Sequence, residues 1–258
     1  MSFKLGTTNI NGIKLGSTAI NRIMLGSTQV FTSTRIPLSI FDGTNDFMSR
    51  GADLTGNADS KVLTFSCFFS AAAGGNQVLF DNLTDRCYAE ILVTGKMNFR
   101  GRDGASNVAW DIYSTTTVDD GNVHNVMFSV DAATGAYHLY IDGVDRADSG
   151  ASLTGNFTVD YTTGNFWVGV YGGSAEKLNG KLGQFYWNNA AYVDLSSPTN
   201  RAKFYNGGPV DMGASGATPT GSSPRIYLNN AYTSFQTNGG TGGNFTVTGA
   251  LADGGLYP

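Results

Sequence analysis

Two glutamates (Glu90, Glu176), two histidines (His124, His138) and two cysteines (Cys67, Cys87) are all that 258 residues offer of those three types. Acid–base work on a glycosidic bond needs two carboxylates flanking one bond. The glutamates are distant in sequence, and the adjacent pair Asp119-Asp120 precedes Gly121, which makes it a solvated turn; neighbours on a strand would point to opposite faces in any case. No Ser or Cys nucleophile is placed beside either histidine, so a triad is not expected. His138 falls on the solvent side by strand alternation. Cys67 shares a strand face with Leu63, Phe65 and Phe69, and Cys87 with Ala89, Ile91 and Val93. Both read as buried thiols, with neither a disulfide framework nor zinc-ligand spacing. The remaining chemistry is recognition. Sugars stack on aromatic faces and bond to planar polar groups, and the chain has three Trp, 12 Tyr and abundant Asn. Trp110, Tyr113, Trp167 and Tyr171 lie near expected strand ends and are the candidate glycan contacts, although Trp110 shares a face with Val108 and Ile112 and so also suits a core.

The elements that must position these residues are strands. Apolar alternation marks segments at 35–41, 61–70, 77–80, 86–93, 96–100, 108–113, 123–130, 136–141, 166–170 and 182–187, each bounded by Gly-rich or polar corners. The loop 131–135 is of hairpin length with Gly at its end; beyond it Tyr137, Leu139 and Ile141 face inward, with His138 and Tyr140 outward. One helix is expected, with Ser197 as cap, Pro198 in its first turn, and a stop at Asn206-Gly207-Gly208. Further short strands are expected near 226–228 and 245–247.

Charged residues make up 14% of the chain, Gly numbers 35 and the net charge is −4, a composition of many short strands and turns. It has no basic stripe for nucleic acid, no apolar run long enough to span a membrane, and no secretory signal pattern at its start, so folding in the cytoplasm is expected.

Residues 4–33 write one phrase three times: KLGTTNINGI, KLGSTAINRI, MLGSTQVFTS. Each copy reads as an extended segment plus a turn, too small to bury Leu5, Ile10, Ile13, Leu15, Ile20, Ile23, Leu25 and Val30 without a partner surface. The organisation expected is an anchoring or oligomerisation arm at 1–34, a sandwich at 35–212 and a Gly-rich C-terminal strap at 213–258.

FDGTNDF from Phe41, LTFSCFFS from Leu63, HNVMFSVDAATGAYHLYIDG from His124 and GKLGQFYWNN from Gly180 resemble, in order, the laminin-G-like, concanavalin-A-like jelly-roll family. The resemblance implies an all-β antiparallel jelly-roll sandwich, here with a repeat-built β arm before it and one short helix late in the chain. It also raises two site questions. Relatives that cleave laminarin carry a Glu-x-Asp-x-x-Glu strand motif, which is absent here, so no enzyme is expected. Many relatives bind calcium at the sheet rim, which Asp81, Asn82 and Asp85 could serve in part, although Gly183 stands where relatives often carry an acid. No other cofactor is implied. LGSTAINRIMLGSTQVF, DLSSPTNRAKFYNGGPVDMG and the segment 235–258 are similar to bacteriophage virion proteins of tail, fibre or capsid-decoration type. That implies a structural protein made in the host cytoplasm and carried in the virion. Its partners would be other virion proteins, sister chains in a homo-oligomer such as a trimer, and host surface glycans. A stand-alone lectin is the alternative.

Overall fold

The computed structural model describes residues 34–258 apart from 84, 149, 151, 152, 154 and 155, and within residues 4–32 the backbone of three hairpins. There β1 (Lys4–Leu5) pairs with β2 (Thr8–Asn9), β3 (Ile13–Leu15) with β4 (Thr18–Ile20), and β5 (Arg22–Leu25) with β6 (Thr28–Thr32). Leu5 stands opposite Thr8, Leu15 opposite Thr18 and Leu25 opposite Thr28. Each Leu-Gly-Ser/Thr-Thr corner therefore joins two strands, where one extended segment per repeat was expected. The side chains of Leu5, Ile13, Leu15, Ile20, Ile23, Leu25 and Val30, and Ile10 entirely, lie outside the described residues.

The rest of the chain builds two antiparallel sheets packed face to face, the jelly-roll sandwich expected. One has seven strands in the order β13 (Val108–Thr117), β12 (Lys96–Arg102), β11 (Cys87–Ile91), β10 (Gln77–Asn82), β17 (Trp167–Val168), β8 (Phe47–Ser49) and β20 (Thr246–Thr248). The other has eight: β16 (Val144–Asp145), β15 (Ala136–Ile141), β14 (His124–Asp131), β9 (Val62–Ala71), β18 (Asn179–Asn188), β7 (Ile36–Asp42) and β21 (Ala252–Tyr257), with β19 (Ile226–Leu228) also paired to β18. Residues beyond 213 thus supply strands to both sheets.

Aromatic rings from the two inner faces meet between the sheets. Phe99 stacks on Phe128 with centroids 4.2 Å apart, Phe65 meets Phe80 at 5.0 Å, and Tyr161 meets Trp187 edge-on at 5.3 Å. Trp110 belongs to this core because Gly101 is its cross-strand partner: a Cβ there would lie 2.4 Å from the indole, so the ring occupies the space a side chain would need. Cys67 and Cys87 are both buried and unbonded, as expected. Val93 falls past the end of β11 and is 69% exposed, so it does not continue the inward face of that strand.

A second buried cluster covers the outer face of the eight-stranded sheet. Met127, Tyr140 and Tyr186 point away from the main core and are covered by Val193, Leu195, Phe204 and Met212 of the segment after β18. Helix α1 (Pro198–Arg201) sits in that segment and is only four residues long. The Ser197 hydroxyl makes no capping bond; the Ser197 carbonyl accepts from Asn200 and Arg201 instead. Arg201 then lies 4.4 Å over the Tyr140 ring and donates to the Leu195 carbonyl at 2.7 Å, which ties the cover to the sheet. Among the described residues no helix is long and apolar enough to cross a membrane.

Candidate functional site

Strand alternation creates a polar, aromatic surface on the outer side of the seven-stranded sheet. On β11, Cys87, Ala89 and Ile91 enter the core, so Tyr88 and Glu90 point outward. On β12, Met97 and Phe99 point in and Asn98 and Arg100 out; on β13, Trp110 and Ile112 point in and Asp111 and Tyr113 out. Asp111 organises these residues. Its carboxylate accepts from Asn98 Nδ2 at 2.6 Å, from an Arg100 guanidinium nitrogen at 2.6 Å and from the Tyr113 hydroxyl at 3.2 Å. Such charge-assisted bonds hold these groups rigidly, with Asn98 buried and Arg100 and Asp111 partly exposed.

Aromatic rings border the network. The Arg100 guanidinium lies 5.7 Å from the Tyr88 ring centre, and Tyr88 meets Tyr171 edge-on at 6.2 Å. Trp167 points outward because its neighbour Val168 enters the core opposite Phe80. Gly173 admits the indole, since a Cβ there would stand 3.1 Å from Trp167 Nε1. Burial raises the Tyr88 and Tyr113 hydroxyls and pushes Tyr171 up to about 12, so all three stay neutral hydrogen-bonding groups at physiological pH. Burial, then the charge of Glu176, pushes Glu90 up to about 7. A neutral carboxyl can donate as well as accept, and aromatic rings with fixed planar donors and acceptors suit a polyhydroxylated ligand.

Three of the four expected glycan contacts, Tyr113, Trp167 and Tyr171, stand on this sheet's outer side and are partly exposed. Trp110 does not: it is fully buried in the core, so it cannot stack on a ligand. Tyr88, Glu90, Asn98, Arg100 and Asp111 were missed as site residues. The alternation that put Cys87, Ala89 and Ile91 inward already implied an outward Tyr88 and Glu90, but only the strand order places them beside Arg100 and Asp111.

Asp81, Asn82 and Asp85 do not fit a calcium site. One Asp81 carboxylate oxygen accepts from Gly172 N–H at 2.9 Å and the other from Asp85 N–H at 3.3 Å. Asp85 pairs with Arg102 at 3.1 Å, while Asn82 donates to the Tyr161 carbonyl and accepts from the Thr163 hydroxyl. These oxygens are held by protein donors, and among the described residues no group of three or more His, Cys, Asp or Glu is arranged to hold a metal. Gly183, where relatives often carry an acid, admits no side chain, since a Cβ would come 2.6 Å from the Pro37 carbonyl.

Both histidines are tied down. His138 faces away from the core but pairs with Asp194 of the covering segment at 3.2 Å, so it is not free in solvent. His124 lies between two carboxylates, Nδ1 2.7 Å from Asp142 and Nε2 3.1 Å from Asp120. The hydrogen bond to Asp142, followed by that to Asp120, raises its pKa; bonds from Asn122 and then His124 pull Asp120 down to about 2. His124 is thus a clamp between the turn before β14 and the Asp142 corner, and Asp120 is more than a solvated turn residue.

Residues 42–194 match the family described as "Concanavalin A-like lectin/glucanases superfamily" (Laminin_G_3), and the chain belongs to it. No curated protein matches in sequence. Among solved structures, a candidate carbohydrate binding protein from Bacteroides ovatus is similar with a TM-score of 0.64 at 14% identity, over 87% of this chain and 61% of that one. This chain thus spans about three fifths of that structure's length. The heptameric SAP-like pentraxin of Limulus polyphemus (TM-score 0.46, 13% identity, 62% of this chain and 79% of that one) is also similar. So is the CBM40 of the Ruminococcus gnavus IT-sialidase bound to α2,3-sialyllactose (TM-score 0.45, 14% identity, 62% of this chain and 94% of that one).

Proposed function

We propose that this protein recognises carbohydrate through the outer face of its seven-stranded sheet and does no chemistry on it. The observation that carries the reading is the Asn98–Asp111–Arg100 network, bonded to the partly exposed Tyr113 and bordered by the buried Tyr88 and the partly exposed Tyr171 and Trp167. The candidate carbohydrate-binding role of the similar Bacteroides ovatus structure agrees in kind. A non-catalytic role is supported by the lack, in this sequence, of the Glu-x-Asp-x-x-Glu strand motif of the hydrolytic relatives. Glycan-array binding of the full chain is expected to fall about tenfold or more in Tyr171→Ala and Trp167→Ala, with the melting temperature little changed. Equal binding by wild type and both variants would overturn the reading.

We further propose that residues 1–34 fasten this module to a larger particle, as in a phage virion assembled in the host cytoplasm, with sister chains in a trimer or other cyclic homo-oligomer. What favours this is the three hairpins closed by equivalent Leu–Thr pairs, each paired within itself. Two-stranded hairpins are marginal alone, and their repeated Leu and Ile side chains would be stabilised by a partner surface at roughly 1.5–3 kcal/mol each if fully buried. Deleting residues 1–33 is expected to lower the solution mass and abolish incorporation into particles. A deletion variant unchanged in both would leave a stand-alone lectin.

A further inference from the structure

A turn of the chain is laid across the outer face of the seven-stranded sheet, residue against residue. Strand register sets Tyr88 of β11, Asp81 of β10 and Trp167 of β17 side by side in one cross-strand row. The turn at 171–175 crosses that row in step. The Tyr171 ring meets the Tyr88 ring edge-on at 6.2 Å, and the Gly172 N–H donates to an Asp81 carboxylate oxygen at 2.9 Å. Gly173 lies against the indole, where a Cβ would come 3.1 Å from Trp167 Nε1. The turn is closed on itself: the Ser174 and Ala175 N–H groups donate to the Tyr171 carbonyl, and the Tyr171 N–H donates to the Ala175 carbonyl. Gly172 and Gly173 both take a left-handed backbone, φ +57° and +78°, which glycine adopts without steric cost.

Asp81 is the polar fixed point beneath this turn. It is wholly buried, and its carboxylate also accepts from the Asp85 N–H at 3.3 Å. A buried carboxylate depends on such donors, so the acid and the turn hold each other in place. Tyr88 and Asp81 under the turn are closed to a ligand, whereas Tyr171 and Trp167 at its two sides stay partly exposed. β10 separates β11 from β17, so the strands that carry Tyr88 and Trp167 lie roughly 9–10 Å apart. One pyranose ring stacks on one of the two exposed aromatics; reaching both takes a second ring joined to the first.

We propose that Asp81 is a positioning residue of the glycan site, latching the 171–175 turn so that Tyr171 and Trp167 form two separate stacking platforms, and that the ligand class these select is an oligosaccharide of two or more sugar rings. The proposal rests on the glycan-binding reading and adds what fixes its aromatic contacts and how long a sugar they take. Rings linked in one chain engage the second platform at high effective concentration, a gain that a monosaccharide lacks.

The latch is tested without any sugar. Trp110 and Trp187 are fully buried, so acrylamide quenching of tryptophan fluorescence in the full chain reports on Trp167. Asp81→Ala is expected to raise the quenching constant about twofold or more by releasing the turn. Asp81→Asn keeps an oxygen for the Gly172 N–H and is expected to stay near wild type. Gly173→Ala, in the turn and outside both sheets, drives a Cβ against the indole and is expected to shift the same signal, which decides the point where Asp81→Ala fails to fold. Calorimetric titration then compares glucose, N-acetylglucosamine and galactose with their β1,4-linked dimers and trimers. A sugar that binds is expected to do so about tenfold or more tighter as the oligomer, a gain lost in Asp81→Ala and kept in Asp81→Asn. Unchanged quenching in both Asp81→Ala and Gly173→Ala, or an Asp81→Asn variant as impaired as Asp81→Ala, overturns the latch. A monosaccharide that binds as tightly as its trimer overturns the oligosaccharide assignment and leaves glycan binding standing. Failure of every sugar to bind the wild-type chain overturns the ligand class and the glycan reading together, with the latch still decided by quenching.

Discussion

The two outer faces of the sandwich are made by the same alternating strands, yet they have opposite surroundings. Over the eight-stranded sheet the chain folds back after β18 and buries Met127, Tyr140 and Tyr186 under Val193, Leu195, Phe204 and Met212. Over the seven-stranded sheet the outward side chains are bridged by one another, through Asp111 and the Tyr88–Tyr171 contact. The apolar outward face is covered by the protein's own chain, and the polar aromatic one is knitted together by its own hydrogen bonds. Exposed apolar area on the first would be costly, whereas a self-satisfied polar surface on the second is stable without a lid.

Substitutions on the two faces should separate stability from binding. Phe204→Ala removes a ring packed edge-on against Tyr186 at 5.2 Å and is expected to cost about 3–5 kcal/mol, a fall of roughly 6–20 °C in calorimetric melting temperature, with glycan affinity unchanged. A loss of affinity equal to that of an open-face variant would erase the distinction between the faces. Asp111→Ala leaves Arg100, Asn98 and Tyr113 without their shared acceptor. It is expected to cost roughly 1.5–3 kcal/mol in stability and to weaken glycan binding about tenfold, because the donors no longer hold position.

The smallest effect concerns pH and lies at the edge of the covered face. His124 has a folded-state pKa raised above the ordinary 6.5, so the stability it adds is fully present below about pH 6.5 and is lost as pH rises through the raised value. Asp120, pulled down to about 2, adds stability present above its ordinary 3.8 and lost as pH falls toward 2. The melting-temperature gap between wild type and His124→Gln should therefore be widest between about pH 4 and 6.5 and narrow at pH 9. A gap constant from pH 5.5 to pH 9 would mean that the imidazole is not charged in its clamp. Glu90 has the same sign on the open face: its pKa near 7 means that the folded state loses stability as pH rises from the ordinary 4.5 through 7, a decline that Glu90→Gln should remove.

Sequence pattern carried the inner faces further than the outer ones. The long strands around Phe65, Phe99, Phe128 and Trp187 are legible because alternation marks the side that must leave water. Ala252–Tyr257 was not, since ADGGLY has no apolar period and its place at the sheet edge is set by β7 beside it. Phe47–Ser49 and Val144–Asp145 are too short to show a period at all. The late helix was legible in place but not in length: α1 ends at Arg201, and beyond it Lys203 and Phe204 make i→i−3 turn bonds to Asn200 and Arg201. Trp110 shows the limit for the site: its type suggests ligand stacking, and its fate was decided by the absence of a side chain on Gly101, a residue that only strand register brings opposite. The candidate site combines β11, β12 and β13 with Trp167 of β17 and Tyr171 just after it, and that adjacency is a property of topology, which local pattern does not encode.

Shift mapping by protein NMR during titration with a bound glycan distinguishes the faces most directly. The expected result is perturbation confined to the Trp167 indole and to the backbone amides of Tyr88, Glu90, Arg100, Tyr113 and Tyr171. Perturbation centred instead on Tyr140, Arg201 and Phe204, with the seven-stranded sheet unmoved, would contradict recognition by the open face.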